Sequence, residues 1–176
     1  MATTVEEITY AEIDQAIYKT CLEYSLKYIE GETGEADNWK WEEFGLTDSS
    51  SIDEKLAKCL AKHEEQTNFV AKIDGYIVEY HEGRLEKTAD IFQMGIGVAR
   101  PDEGGSYSWN YSSDYITAFF GYLKTKAAKC SCWSPVNSSM TKYFETVKDA
   151  GHITYSIDDE KPTIEGVVYN KFIIES

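Results

Sequence analysis

The chain has 176 residues, 42% of them hydrophobic and 14% aromatic, which suits one compact folded domain and excludes a disordered chain. Its 31 acidic and 17 basic residues give a formal net charge of −14, and Arg84 and Arg100 are its only arginines, so nucleic acid, whose binding rests on phosphate neutralisation, is not an expected partner. No apolar run approaches the roughly 20 residues that span a bilayer, and the acidic Met1–Glu7 start lacks a basic and apolar leader, so a cytoplasmic protein without membrane contact is expected.

Thr9-Tyr10-Ala11-Glu12 has the pattern of a capping box and predicts a first helix, with Ile13, Ile17, Cys21, Tyr24 and Tyr28 on one face. Gly31 and Gly34 should end it. The acidic stretch from Glu32 to Ser51 reads as a loop anchored by Trp39, Trp41 and Phe44. A second capping box, Ser51-Ile52-Asp53-Glu54, opens a helix through Leu56, Cys59, Leu60 and His63.

Asn68–Ile73 alternates as a strand does, Asp74-Gly75 supplies the two positive-φ residues of a tight hairpin turn, and Tyr76–His81 returns. Ile91–Ala99 is a third strand whose Gly95 and Gly97 suggest a bulge or a close backbone approach. After a polar loop over Pro101–Ser112, Ser113 or Asp114 should cap a helix through Ile116, Phe119, Phe120 and Leu123. Lys129–Trp133 reads as a strand. Cys130 and Cys132 lie two apart, so both point to one face, as reduced thiols in or near the core.

Ser138–Ala150 is the next expected helix, with Met140, Phe144 and Val147 inward and Gly151 as its stop. Ile153–Ile157 and Val167–Ile174 should be two closing strands, joined by an acidic loop around Asp158–Pro162. His63, His81 and His152 are scattered and the cysteines lack zinc-finger spacing, so no metal site is expected.

The order of elements from Asn68 to Ser176, with Asn137 leading into a short helix that stops at Gly151, resembles the C-terminal half of the GNAT acyltransferases. The resemblance implies an α/β fold in a single domain over residues 1–176. It would hold a mixed, mostly antiparallel central sheet flanked by four helices. The strands Ile91–Ala99 and Lys129–Trp133 should run side by side and parallel, joined by the Asp114–Ala128 crossover helix.

The same resemblance implies where an acyl-CoA would lie. Backbone groups of Gly97, Val98 and Ala99 would bind the pantetheine and polarise the thioester carbonyl. Arg100, Gly104, Gly105 and Ser106 would hold the diphosphate, and Asn137 would bond the pantetheine. Tyr143 would protonate the leaving thiolate, since Phe144 fills the family's usual Tyr position. Glu79 would be the base, with Gln93 on a neighbouring strand. The loop from Arg100 to Asp114 matches the family's loop in position, but it is longer and carries Asp102, Glu103 and Asp114.

Two functions follow. One is an N-acyltransferase that moves an acyl group from acetyl-CoA or another acyl-CoA to an amine, on a small molecule or a basic protein. The negative field of the chain suits a cationic acceptor. The other is a GNAT-like binding or interaction module that no longer uses acyl-CoA, for instance an accessory protein whose acidic surface docks a basic partner. The acceptor, the acyl group and the oligomeric state have no motif in this chain.

Overall fold

The structure is a computed structural model and describes residues 2–33, 41–47, 49–136, 138–161, 163–164 and 167–176. Its first element is a strand, β1 (Thr3–Ile8), where the sequence was read only as an acidic start. β1 pairs antiparallel with β2 (Thr67–Ile73), from Thr3 opposite Ile73 to Ile8 opposite Asn68. The Thr, Val and Ile of this segment favour a strand, and its glutamates suit an exposed edge, where charge discourages pairing with other chains.

The Thr9 capping box is real but caps a single 3-10 turn, Tyr10–Glu12. The Glu12 carboxylate accepts from both the amide and the hydroxyl of Thr9 at 2.9 Å. Ile13 is extended, so the chain leaves this turn before the helix begins. α1 (Gln15–Thr33) starts beyond it, where Asp14 Oδ1 accepts the Ile17 amide at 3.1 Å. The expectation of one helix from Thr9 onward is corrected accordingly. α2 (Ile52–Glu64) starts as read, with Ser51 Oγ accepting the Glu54 amide at 3.2 Å.

The hairpin turn also forms as read: Asp74 has φ 50° and Gly75 has φ 81°. It joins β2 to β3 (Tyr76–Glu86), which runs five residues past the expected end at His81. His81 is therefore inside a strand, not near a turn. β4 (Ile91–Ala99) follows, then a 3-10 turn at Ser108–Tyr111 and α3 (Ser113–Lys126). Ser112, not Ser113 or Asp114, caps α3: its hydroxyl accepts the Tyr115 amide at 3.2 Å and donates to the Trp109 carbonyl at 2.8 Å.

β5 (Lys129–Pro135), α4 (Ser139–Asp149), β6 (Thr154–Ile157), β7 (Thr163–Ile164) and β8 (Val167–Glu175) complete the chain. Gly151 stops α4 with φ 83°, the left-handed conformation that glycine adopts without strain. Phe144 and Val147 are buried as expected, whereas Met140 is 46% exposed and does not face the core.

The strand order is β1-β2-β3-β4-β5-β8-β6, with β7 paired on β8. β4 and β5 are parallel neighbours, and the pairs of β1 with β2 and of β8 with β5, β6 and β7 are antiparallel. The mixed, mostly antiparallel sheet read from the sequence is the one observed. Among the described residues, no helix is long and apolar enough to cross a membrane.

The chain divides into two compact units interleaved in sequence, Met1–Glu82 with Ile96–Tyr107, and Gly83–Gly95 with Ser108–Ser176. In the first, Tyr18, Cys21, Leu22, Trp41, Cys59, Val70, Tyr80 and Val98 form the centre of the core. In the second, Phe144 packs on Phe172 with ring centroids 4.8 Å apart, and Trp109 meets Tyr115 edge-on at 4.9 Å. Burial of such rings dominates the energetics of each core.

Candidate functional site

In the first unit, the predicted base and one predicted cofactor contact come together. Glu79 and His81 are two apart on β3, so they share a face. His81 Nε2 lies 3.0 Å from Glu79 Oε1, and the two side chains are only 15% and 11% exposed. The imidazole stacks on Phe69 of β2 with centroids 5.1 Å apart and planes 10° off parallel. On its other side lies β4: a Cβ at Gly97 would sit 2.5 Å from His81 Nδ1 and closer still to Cε1. Glycine is thus required at 97 by the ring that crosses it.

The β4 backbone near this ring is held by side chains. Glu82, 6% exposed, accepts the Ile96 amide on Oε1 at 2.7 Å. Ser25 of α1 accepts the Ala99 amide at 2.9 Å and donates to the Ala99 carbonyl at 3.2 Å. Of the three residues expected to face a thioester, Ala99 thus has both backbone groups engaged within the protein, and Val98 turns its side chain into the core.

A bulge was also foreseen in this strand. Gly97 lies against His81, whereas Gly83 lies against Phe92 and Gln93. Both are close backbone approaches, the alternative to a bulge, and Gly95 is exposed. Among the described residues, the parallel ladder of β4 with β5 covers Ile91–Gln93 against Lys129–Ser131. Gln93 does not act alone, since its Oε1 accepts from Arg84 Nε at 3.3 Å.

The loop expected to hold a diphosphate is closed on itself. Arg100 Nε donates to the Ile77 carbonyl at 2.6 Å, and its guanidinium lies 4.1 Å from the centroid of Tyr76. The Gly105 amide donates to the Asp102 carbonyl at 2.9 Å, and the Ser106 amide to Asp102 Oδ1 at 2.9 Å. The amides offered by Gly105 and Ser106 are therefore turned to Asp102. In this arrangement the Gly105 and Ser106 amides are engaged by Asp102, and the side-chain space at Gly97 is filled by the His81 ring.

In the second unit, Tyr143 lies on α4 and its hydroxyl donates to the Asn110 carbonyl at 2.9 Å. The ring meets Tyr111 edge-on at 5.1 Å. Asn137, the expected pantetheine contact, lies outside the described residues.

Cysteine is a poor nucleophile here. Burial pushes the thiols of Cys21, Cys130 and Cys132 up to about 12, with the Arg100 charge opposing that rise at Cys21 and Cys130 adding to it at Cys132. All three stay protonated at neutral pH, which removes the thiolate that an acyl-cysteine route needs. Sequence reading passed over His81, Ser25 and Glu82. The available signal was the spacing of Glu79 and His81 on one strand face opposite a strand with two glycines.

No family model and no curated protein matches the sequence. Solved structures do match in fold. AAC(6')-Ib in complex with ribostamycin and coenzyme A superimposes with a TM-score of 0.61 at 12% identity, over 100% of this chain and 94% of that one. The PaiA N-acetyltransferase of Thermoplasma acidophilum with coenzyme A gives 0.57 at 10% identity, over 100% and 99%. An acetyltransferase of Thermus thermophilus gives 0.56 at 12% identity, over 98% and 96%. The chain has the fold of these acetyltransferases.

Proposed function

We propose that this protein transfers an acyl group from an acyl-CoA thioester to an amine by direct attack. The observation that carries the reading is the acetyltransferase fold, in which the Glu79–His81 pair at 3.0 Å lies on β3 beside Gly97 of β4. The thioester would supply the activated acyl carbonyl. The backbone amide of Gly97 is the proposed donor to its oxygen as charge develops there. The Glu79–His81 pair takes the proton that an ammonium must lose before it can attack.

The complex of AAC(6')-Ib with ribostamycin supports a small-molecule acceptor, and the net charge of −14 supports a cationic one. A cytoplasmic location belongs to the same proposal. The test is to incubate the protein with acetyl-CoA and a mixture of polyamines and amino sugars. Acetylated amine and free coenzyme A thiol, read by mass spectrometry and a thiol reagent, are the expected products. Acetyl-CoA left intact across the mixture and across basic peptides would overturn the reading.

One observation favours a second reading, a binding module with this fold. Asp102 holds the amides that a diphosphate would need. A protein that has given up acyl-CoA has no reason to keep them open.

A further inference from the structure

Arg84 stands out by the partner it lacks. The chain carries 31 acidic residues against 17 basic ones, so an exposed cation has carboxylates to choose from. Arg100, the other arginine, is spent within the protein on the Ile77 carbonyl and the Tyr76 ring. Arg84 is exposed and forms no ion pair among the described residues. Its Nε donates to Gln93 Oε1 at 3.3 Å, and an uncharged amide leaves the charge uncompensated. Both Nη groups remain as donors without a partner among the described residues.

Strand pairing defines what surrounds this guanidinium. Gly83 turns to the Phe92 ring, so Arg84, next along β3, lies with Gln93 on the opposite face. Gln93 is opposite Ser131, Ser131 is opposite Ile173, and Ile173 is opposite Ser156. This row crosses β3, β4, β5, β8 and β6 on one face of the second unit. Phe144 of α4 packs on Phe172, which points the other way, so α4 covers the reverse face. Within this unit, alternation puts Arg84, Lys129 and Lys171 against only Glu86 and Glu175 on the face, a surplus of one positive charge in a chain of −14. Glu82, two residues back on β3, is turned to the Ile96 amide at 2.7 Å. Trp133 lies two residues beyond Ser131 on the same face and is 47% exposed. Ser131 is 1% exposed and its Oγ has no hydrogen-bond partner, a cost that alanine would not incur. Polar floor, unpaired guanidinium and exposed indole thus coincide where the net charge of the chain is locally reversed.

We propose that this face binds a small organic acid, with its carboxylate on the Nη groups of Arg84 and its apolar body toward Trp133. Gln93 is a positioning residue, because its Oε1 holds the guanidinium through Nε. A planar carboxylate meets the guanidinium fork with two parallel N–H···O bonds, and a single surplus charge suits a monoanion better than a phosphate dianion. Two strand spacings, about 10 Å, separate β3 from β5, which matches the length of an aryl alkanoic acid. The inference goes beyond the acyl-transfer reading and stands without it.

The test is nuclear magnetic resonance of the full chain with its arginines labelled with ¹³C and ¹⁵N, and phenylpropionate as the probe. Two arginines give two sets of side-chain signals, and Arg84→Lys removes one and so assigns both. Phenylpropionate should shift the Arg84 Cζ and Nε signals saturably and leave those of Arg100 in place. Calorimetry should show roughly tenfold weaker binding to Arg84→Lys, which keeps the charge and loses the fork. Trp133→Ala should weaken phenylpropionate and leave acetate, a carboxylate without a body, unchanged. Arg84 signals that stay still, or move no more than those of Arg100, overturn the site, and both are read on the wild type whether or not the variants fold. Equal affinity in Arg84→Lys overturns the fork, and equal affinity for phenylpropionate in Trp133→Ala removes Trp133 from the site. Inorganic phosphate that binds as tightly as phenylpropionate at the same ionic strength overturns the carboxylate assignment.

Discussion

Asp102 accepts the amide hydrogen of Ser106 on Oδ1 at 2.9 Å, while its own amide donates to the Ser106 carbonyl at 2.8 Å. The carboxylate occupies a position that an anion would take in a nest of backbone N–H groups. Replacing Asp102 by Ala removes both the competitor and one negative charge. Acetyl-CoA affinity should then rise by up to about 1 kcal/mol, roughly fivefold, the usual worth of a charge next to oriented amides. Calorimetry on the variant checks this. An unchanged affinity would mean that the loop takes no part in binding.

Gly97→Ala would place a methyl group against the His81 ring. The ring cannot retreat freely because Phe69 is stacked on it. Overpacking of this kind costs roughly 1–3 kcal/mol. His81→Ser vacates the space, so the double variant should lose less stability than the two single losses added together, a coupling that urea unfolding measures. Strict additivity would show that the ring and residue 97 do not meet.

Stability should fall in acid because of His63. Its Nδ1 lies 2.7 Å from Asn68 Oδ1 and its Nε2 lies 2.8 Å from the Tyr18 hydroxyl. The Asn68 amide group donates to the His63 carbonyl at 2.9 Å, which leaves Oδ1 as the acceptor for Nδ1–H. Nε2 therefore accepts from Tyr18, and the ring is neutral. Burial lowers its pKa from 6.5 to about 4. The unfolded chain then binds a proton at a higher pH than the folded one. The stability due to this group is complete above pH 6.5 and is lost as the pH falls from there to about 4, by up to about 3 kcal/mol. Urea midpoints at pH 7 and pH 4.5 should differ in the wild type and differ less in His63→Leu.

Tyr143→Phe separates two roles. Loss of the bond to Asn110 should cost about 0.5–1.5 kcal/mol of stability. If the hydroxyl also protonates the departing sulfur, acyl transfer should fall by roughly a hundredfold or more. A rate that falls only as far as the folded fraction does would confine Tyr143 to holding α4.

Arg100→Ala should lower stability before it touches any ligand, by roughly 1.5–3 kcal/mol, because the guanidinium bonds the Ile77 carbonyl and lies over Tyr76. Thermal denaturation of the apoprotein checks it.

The fold was legible where local chemistry and tertiary structure agree. Asp74-Gly75, Ser51 with Glu54, and Gly151 each impose a conformation that little else in the chain can override. β1 was hidden because its glutamates, which suit an edge strand, mask the strand pattern in sequence. The first helix was started early because the Thr9–Glu12 pattern caps a 3-10 turn as well as a helix. At the site, Glu79 and Gly97 were singled out through the family resemblance, and they lie on β3 and β4 as it implied. The contacts of Asp102, Ser25 and Arg100 were not legible because which group a side chain satisfies depends on contacts distant in sequence or on a loop's closure.

The most direct test of the account is a calorimetric titration of acetyl-CoA into the wild-type protein. It predicts saturable binding with one acetyl-CoA per chain and a Kd between micromolar and millimolar, the usual range for such substrates. No heat and no thermal shift at millimolar acetyl-CoA would contradict it and leave the binding module as the reading.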